Sequence, residues 1–154
     1  MASVFERLQA KLTEAGAQFT VLRHAPVFTS EEAAAVRGTP LSSGAKALVV
    51  KAAEAFVLLV VPADRKLDSK KARAGLGVKA MRFATREEVE QLTGLQPGSI
   101  PPFGSLFGLP CHCDPALALN DTFNFNAGDH SISISLRYDE YARVERPAAL
   151  EMTT

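Results

Sequence analysis

Three places in this 154-residue chain carry residue types that could handle an anion or a polar ester. The first is Gly98-Ser99-Ile100-Pro101-Pro102-Phe103-Gly104. Its two prolines fix two φ angles and remove two backbone donors, while its glycines admit angles closed to other residues. The expected product is a stiff, sharply turned loop with N–H and C=O groups in set directions, suited to holding a polar ligand. The plainer alternative is a turn that joins two elements. The second place is Lys46, at the start of the apolar run Ala45-Lys46-Ala47-Leu48-Val49-Val50-Lys51. Pointing into a cavity, its ammonium binds an anionic or carbonyl group; pointing out, it only protects a sheet edge. The third is His130, directly after Gly128-Asp129. It can donate a hydrogen bond or exchange a proton near neutral pH, or it is a turn residue without a role. His24, ahead of Pro26, has the same two readings.

Other chemistries find no support. There is no Gly-x-Ser-x-Gly elbow, no Ser/His/Asp order that stands out, and no glycine fingerprint for phosphate. Cys111 and Cys113 are the only cysteines, and His112 lies between them. One intervening residue strains a mutual disulfide, and no second ligand pair has metal-site spacing. Neither a metal nor a cofactor is expected. The chain has 17 basic and 17 acidic residues, a balance that argues against coating nucleic acid non-specifically. The balance is uneven, however. Arg65, Lys66, Lys70, Lys71, Arg73, Lys79, Arg82 and Arg86 share their segment with a single acid, Asp68. That excess either contacts phosphates or is a solvated helix face. No apolar run is long enough to span a membrane, and residues 1–9 lack a signal core, so a cytoplasmic protein is expected.

The elements that must position these residues follow from periodicity. Residues 3–15 read as a helix closed by Gly16, and 18–22 as a short strand. Thr29 and Glu32 stand at capping-box spacing before an Ala-rich helix over 31–36. Residues 45–52 and 56–61 read as the two buried strands of a hairpin. Residues 68–76 form a short basic helix, 80–83 a strand, and Thr85-Arg86-Glu87-Glu88 caps a helix to 92. Residues 106–109 and the pair Leu117 and Leu119 suggest two further strands. Residues 122–126 and 131–136 alternate and pair through Ala127-Gly128-Asp129, a short helix spans 138–143, and the tail from Pro147 is read as loose. The expected fold is one α+β domain over 1–154: a mixed, largely antiparallel sheet curled like a barrel and surrounded by helices.

The order His24-Ala-Pro-Val-Phe-Thr-Ser-Glu-Glu-Ala, Gly44-Ala-Lys46-Ala-Leu-Val-Val-Lys, Phe56-Val-Leu-Leu-Val-Val-Pro, Leu67-Asp-Ser-Lys-Lys, Pro97-Gly98-Ser-Ile-Pro-Pro102-Phe-Gly104 and Gly128-Asp-His130 closely resembles the YbaK-like superfamily. Its members are the editing domain of bacterial prolyl-tRNA synthetase and free-standing relatives. The resemblance runs from about His24 to Leu136 and implies a deacylase acting in trans on mischarged tRNA. The tRNA for proline carrying alanine, serine, threonine or cysteine is the implied substrate, and prolyl-tRNA synthetase a possible partner. By this resemblance Lys46 holds the terminal adenosine or phosphate. Gly98 and Pro102 shape the pocket around the ester, and His130 stands near the amino acid. Phe28, Thr29, Ser30, Ile100, Phe103, Gly104, Gly128 and Asp129 would surround the substrate, and Lys66, Lys70, Lys71 and Arg73 would meet the acceptor stem. The implied chemistry suits the residues. Water or the neighbouring ribose 2′-OH can participate, so the protein mainly needs to position the ester and stabilise an oxyanion with fixed N–H groups. Two rivals share the same lysine and loop: a module that binds aminoacyl-tRNA without turnover, and a nucleotide-binding regulator.

Overall fold

The computed structural model describes residues 2–154. Helix α1 (Val4–Glu14) opens on a capping box between Ser3 and Glu6 and buries Phe5, Leu8 and Leu12. Strand β1 (Phe19–Arg23) follows. Helix α2 (Ser30–Arg37) starts from the expected Thr29/Glu32 capping box and stops at Gly38, which takes the left-handed conformation. The hairpin of β2 (Ala45–Ala52) and β3 (Ala55–Pro62) pairs Lys46 with Val61. Then come α3 (Ser69–Leu76), capped by Asp68, β4 (Met81–Phe83), and α4 (Arg86–Thr93) behind its Thr85/Glu88 box. The chain closes with β5 (Cys111–Cys113), β6 (Thr122–Asn126), β7 (Ile132–Arg137), α5 (Tyr138–Glu145) and β8 (Ala148–Ala149).

The strands form two sheets, β1-β7-β6 and β4-β2-β3-β5-β8. Pairings within the first and between β2 and its neighbours are antiparallel, whereas β3-β5 and β5-β8 are parallel, so the sheet system is mixed and largely antiparallel. The larger sheet is buried on both faces, which explains the unbroken apolar runs of β2 and β3. One face, with Val49, Leu58 and Val60, packs against α1, the smaller sheet and Tyr141 of α5. The other, with Val50, Leu59 and Val61, packs against Ala72 of α3 and Met152.

Four expectations need correction. The sheet does not close into a barrel: a single bridge, Gly44 to Asn124, links the two sheets. Residues 106–109 are not a strand, because a 3₁₀ turn covers Gly104–Leu106 and Gly108 turns the chain at φ 68°. Leu117 and Leu119 lie on another 3₁₀ turn, Pro115–Leu119, in which Leu117 is buried and Leu119 exposed. The tail is not loose. Ala148 and Ala149 pair with β5, and Met152 and Thr153 are buried against Asp114. Strand β5 itself escaped notice because three residues centred on a histidine carry no apolar alternation.

Candidate active site

A cleft of about 180 Å³ opens where the two sheets meet. Its walls are the first turns of α2, the start of β2 from Gly44 to Leu48, the Gly98 loop and Asn126 at the end of β6. Strand β2 brings Lys46 here because the apolar residues that follow it are locked into the sheet interior. The Lys46 ammonium donates to the carbonyl of Arg65 at 3.1 Å and has no carboxylate partner among the described residues. The same contact ties the beginning of the basic segment to the cleft wall.

The Gly98 loop has the defined shape its composition demands. Gly98 sits at φ 93°, where an added Cβ would come within 3.3 Å of His130 Cε1. Ser99 Oγ and N–H both return to the carbonyl of Gln96, at 2.9 and 3.2 Å, and close a tight turn. Two bonds anchor the loop to the β6-β7 hairpin: Gly128 N–H donates to Ser99 C=O and Asn126 Nδ2 to Gly98 C=O, each at 2.8 Å. Among the described residues, neither the Gly98 nor the Ile100 amide has an acceptor. Both residues line the cleft.

The prolines do not line it. Pro101, Pro102, Phe103 and Gly104 are buried. The Pro102 carbonyl accepts the Tyr141 hydroxyl at 2.7 Å, and Phe103 stacks edge-on with Tyr141 in the core. Gly104 is pressed so closely against the Leu109 carbonyl that a Cβ has no room. This half of the motif therefore clamps the loop to the core, and only its first half meets the cleft. Phe103 does not narrow the pocket, while Ile100 does reach its lining.

His130 stands behind the loop. Its Nδ1 lies 3.1 Å from the Val27 carbonyl, and its ring packs 4.7 Å from that of Phe28. Phe28 is 70% exposed and borders both this cleft and a more open one lined by His130, Gly128 and Asp129. Thr29 and Ser30 are on the main cleft; Gly128 and Asp129 are not. Asp129 instead accepts from Ser131 N–H and Oγ at 2.8 and 2.6 Å, which keeps its carboxyl below the usual range.

Two site residues went unnoticed in the sequence, Arg37 and Asn126. Nothing in the spacing of a helix-terminal arginine or a strand-end asparagine marks them; only the fold brings them together. Thr39 was also missed, and its Oγ1 is the one buried side-chain oxygen without a partner among the described residues. No carboxylate, thiol or histidine lines the main cleft. The two cysteines lie elsewhere, and burial pushes their thiols up to about 11 for Cys111 and about 12 for Cys113. The arrangement can thus hold an anion and polarise a carbonyl, and the hydroxyls of Thr29 and Ser30 line it with no carboxylate or imidazole on the cleft wall to activate them.

On the basic segment, Lys66 and Lys70 extend into solvent. Lys71 Nζ donates to the Thr153 carbonyl at 3.0 Å, and Arg73 to the carbonyls of Ser69 and Lys79.

The chain is similar to proteins already known. Residues 24–144 match the family model described as the aminoacyl-tRNA editing domain. The multifunctional Ser/Thr-tRNA deacylase ProXp-y of Escherichia coli is 36% identical over 147 residues, which are 92% of this chain and 88% of that protein. The prolyl-tRNA editing protein ProX of Acetoanaerobium sticklandii is 25% identical, over 88% of this chain and 86% of its own. A crystal structure of a candidate trans-editing enzyme for prolyl-tRNA synthetase superposes with a TM-score of 0.88 at 25% identity, covering 100% of this chain and 99% of that one.

Proposed function

Since this chain belongs to the aminoacyl-tRNA editing domain family, we propose that it clears mischarged tRNA in trans, removing small amino acids from the terminal ribose, serine and threonine foremost. It is an aminoacyl-tRNA deacylase, an ester hydrolase. The observation that carries the finer reading is the meeting of Lys46 with Gly98 and Ile100, whose amides are unpaired, around one small cleft without a carboxylate, thiol or imidazole.

In that cleft, with no base beside the hydroxyls, water is the attacking group. Water, hydrogen-bonded to the vicinal 2′-OH, adds to the ester carbonyl carbon; the C–O bond to the ribose breaks, the ribose oxygen takes up the proton that water gives up, and the amino acid leaves with a free carboxylate. The Gly98 and Ile100 N–H groups stabilise the oxyanion, for which fixed donors in a partly dry site are effective. Lys46, free of any carboxylate, holds the phosphate or ribose of the terminal nucleotide. Phe28, exposed at the lip, offers its ring to the base, and His130 backs the loop from behind.

The size of the cleft excludes large side chains. Its hydroxyl and amide lining, with Thr29, Ser30 and Asn126, favours a hydroxyl-bearing residue. That preference is in keeping with the 36% identical Ser/Thr-tRNA deacylase. Alanine or cysteine on tRNA for proline is the second choice, with prolyl-tRNA synthetase as the partner it would correct.

The test is a panel of tRNAs charged with serine, threonine, alanine, cysteine and proline, with loss of the ester followed over time. Serine and threonine esters should go fastest and cognate prolyl-tRNA for proline should survive. Tight binding of every ester with no hydrolysis would replace this reading with that of a carrier module.

A further inference from the structure

Arg37 is the last residue of α2, and its side chain turns inward beneath the cleft. Nε donates to Ser133 Oγ at 2.8 Å and one terminal nitrogen to Asn126 Oδ1 at 3.1 Å. Both partners are neutral, and no carboxylate pairs with the guanidinium among the described residues. Burial presses its pKa down to about 10. A half-buried cation without a counter-charge costs stability, so its retention calls for a reason.

The reason lies in direction. A guanidinium only donates, so the Asn126 atom facing it must be the carbonyl oxygen. The amide group is thereby fixed with its NH₂ on the other side, where Nδ2 donates to Gly98 C=O at 2.8 Å. An asparagine without Arg37 is free to flip, and a flipped amide would set Oδ1 against the Gly98 carbonyl and push the loop away. We infer that Arg37 is a positioning residue: acting through Asn126, it fixes the Gly98–Ser99 peptide plane, and the Gly98 and Ile100 amides on the two flanking peptides keep their directions with it. The inference rests on the reading of the Gly98 loop as the organiser of hydrolysis.

Three variants test it: Arg37→Met, which keeps the length but removes the donors; Asn126→Asp, which sets a carboxylate oxygen against Gly98 C=O; and Arg37→Gly, which leaves room for free guanidinium. Single-turnover deacylation of seryl-tRNA should slow about 10²–10³-fold in the first two, the cost of misplacing one oxyanion donor. KM should stay within about twofold. Added guanidinium should restore part of the rate to Arg37→Gly and none to Asn126→Asp. The Gly98 amide resonance should move alike in Arg37→Met and Asn126→Asp. A raised KM with unchanged kcat would overturn the inference, because Arg37 would then hold the nucleic acid itself. A wild-type rate in Arg37→Met, or a rate that guanidinium cannot rescue in Arg37→Gly, would overturn it as well. If the wild-type protein hydrolysed no aminoacyl-tRNA, the functional reading would fall instead, and the Gly98 resonance would still decide whether the relay exists.

Discussion

At the scale of residues, what matters is which groups the fold leaves unpaired. Lys46 could be singled out in the sequence because it interrupts an apolar strand, and the fold leaves its ammonium with one backbone carbonyl and no acid. Replacing it with alanine should therefore cost function more than stability. A lost charge-assisted contact is worth about 1.5–3 kcal/mol, so kcat/KM for aminoacyl-tRNA should fall about 10- to 100-fold with the melting temperature nearly unchanged. Steady-state kinetics beside thermal unfolding checks this, and full activity in a folded Lys46→Ala protein would contradict the role given to it. Gly98 was legible for a similar reason, since a glycine ahead of two prolines has few other uses. Arg37 and Asn126 were not legible, because what joins them is one hydrogen bond across 89 residues of chain. Pro102 and Phe103 mark the reverse error: the motif is real, but two of its members serve the core.

At the scale of elements, local signals located most helices and strands. The Thr29/Glu32 and Thr85/Glu88 capping boxes and the β2-β3 hairpin stand where their residues put them. Failures came where structure is made by distant partners. Strand β5 and the tail have no periodicity of their own; the tail is held by Asp114, whose Oδ2 accepts from Met152 N–H at 2.9 Å and Thr153 Oγ1 at 3.0 Å. Burial alone would raise this carboxyl, but those bonds, that from Ala116 N–H and the charge of Arg65 outweigh it and hold it below the usual Asp range. Asp114→Asn turns one acceptor into a donor and should destabilise the protein by about 1.5–3 kcal/mol at neutral pH. The sign of the pH dependence follows. With a depressed folded pKa, the stabilisation is fully present above the unfolded value of about 3.9 and disappears as pH falls through the folded value. Denaturant unfolding at several pH values should show the gap between wild type and Asp114→Asn narrowing below about pH 4. A constant gap would mean that the carboxylate charge does not hold the tail.

At the scale of the whole molecule, the proposed reading gives two surfaces separate work: a small cleft for the ester and a basic flank for the nucleic acid. The flank adjoins the cleft through Arg65, whose carbonyl receives Lys46. Lys66 and Lys70 are exposed and their ammonium groups make no hydrogen bond among the described residues, whereas that of Lys71 donates to Thr153. Reversing charge at Lys66 and Lys70 should weaken tRNA binding, flatten its salt dependence by about two phosphate contacts, and spare hydrolysis of a short aminoacyl-adenosine. Normal tRNA affinity at every salt concentration would make this flank plain solvated surface. Charge clustering was readable in the sequence, but which lysines remain free was not, since that depends on where the tail docks.

The central claim is that the Gly98 loop organises the chemistry while tRNA is held elsewhere. It is tested most directly by Gly98→Ala, with single-turnover deacylation of seryl-tRNA measured beside equilibrium tRNA binding. At φ 93° and 3.3 Å from His130, the added Cβ must rotate the loop. The rate should fall about 10²–10³-fold with affinity almost unchanged. Equal losses in rate and affinity, or a loss in affinity alone, would contradict the claim and reduce the loop to a tether for the tRNA end.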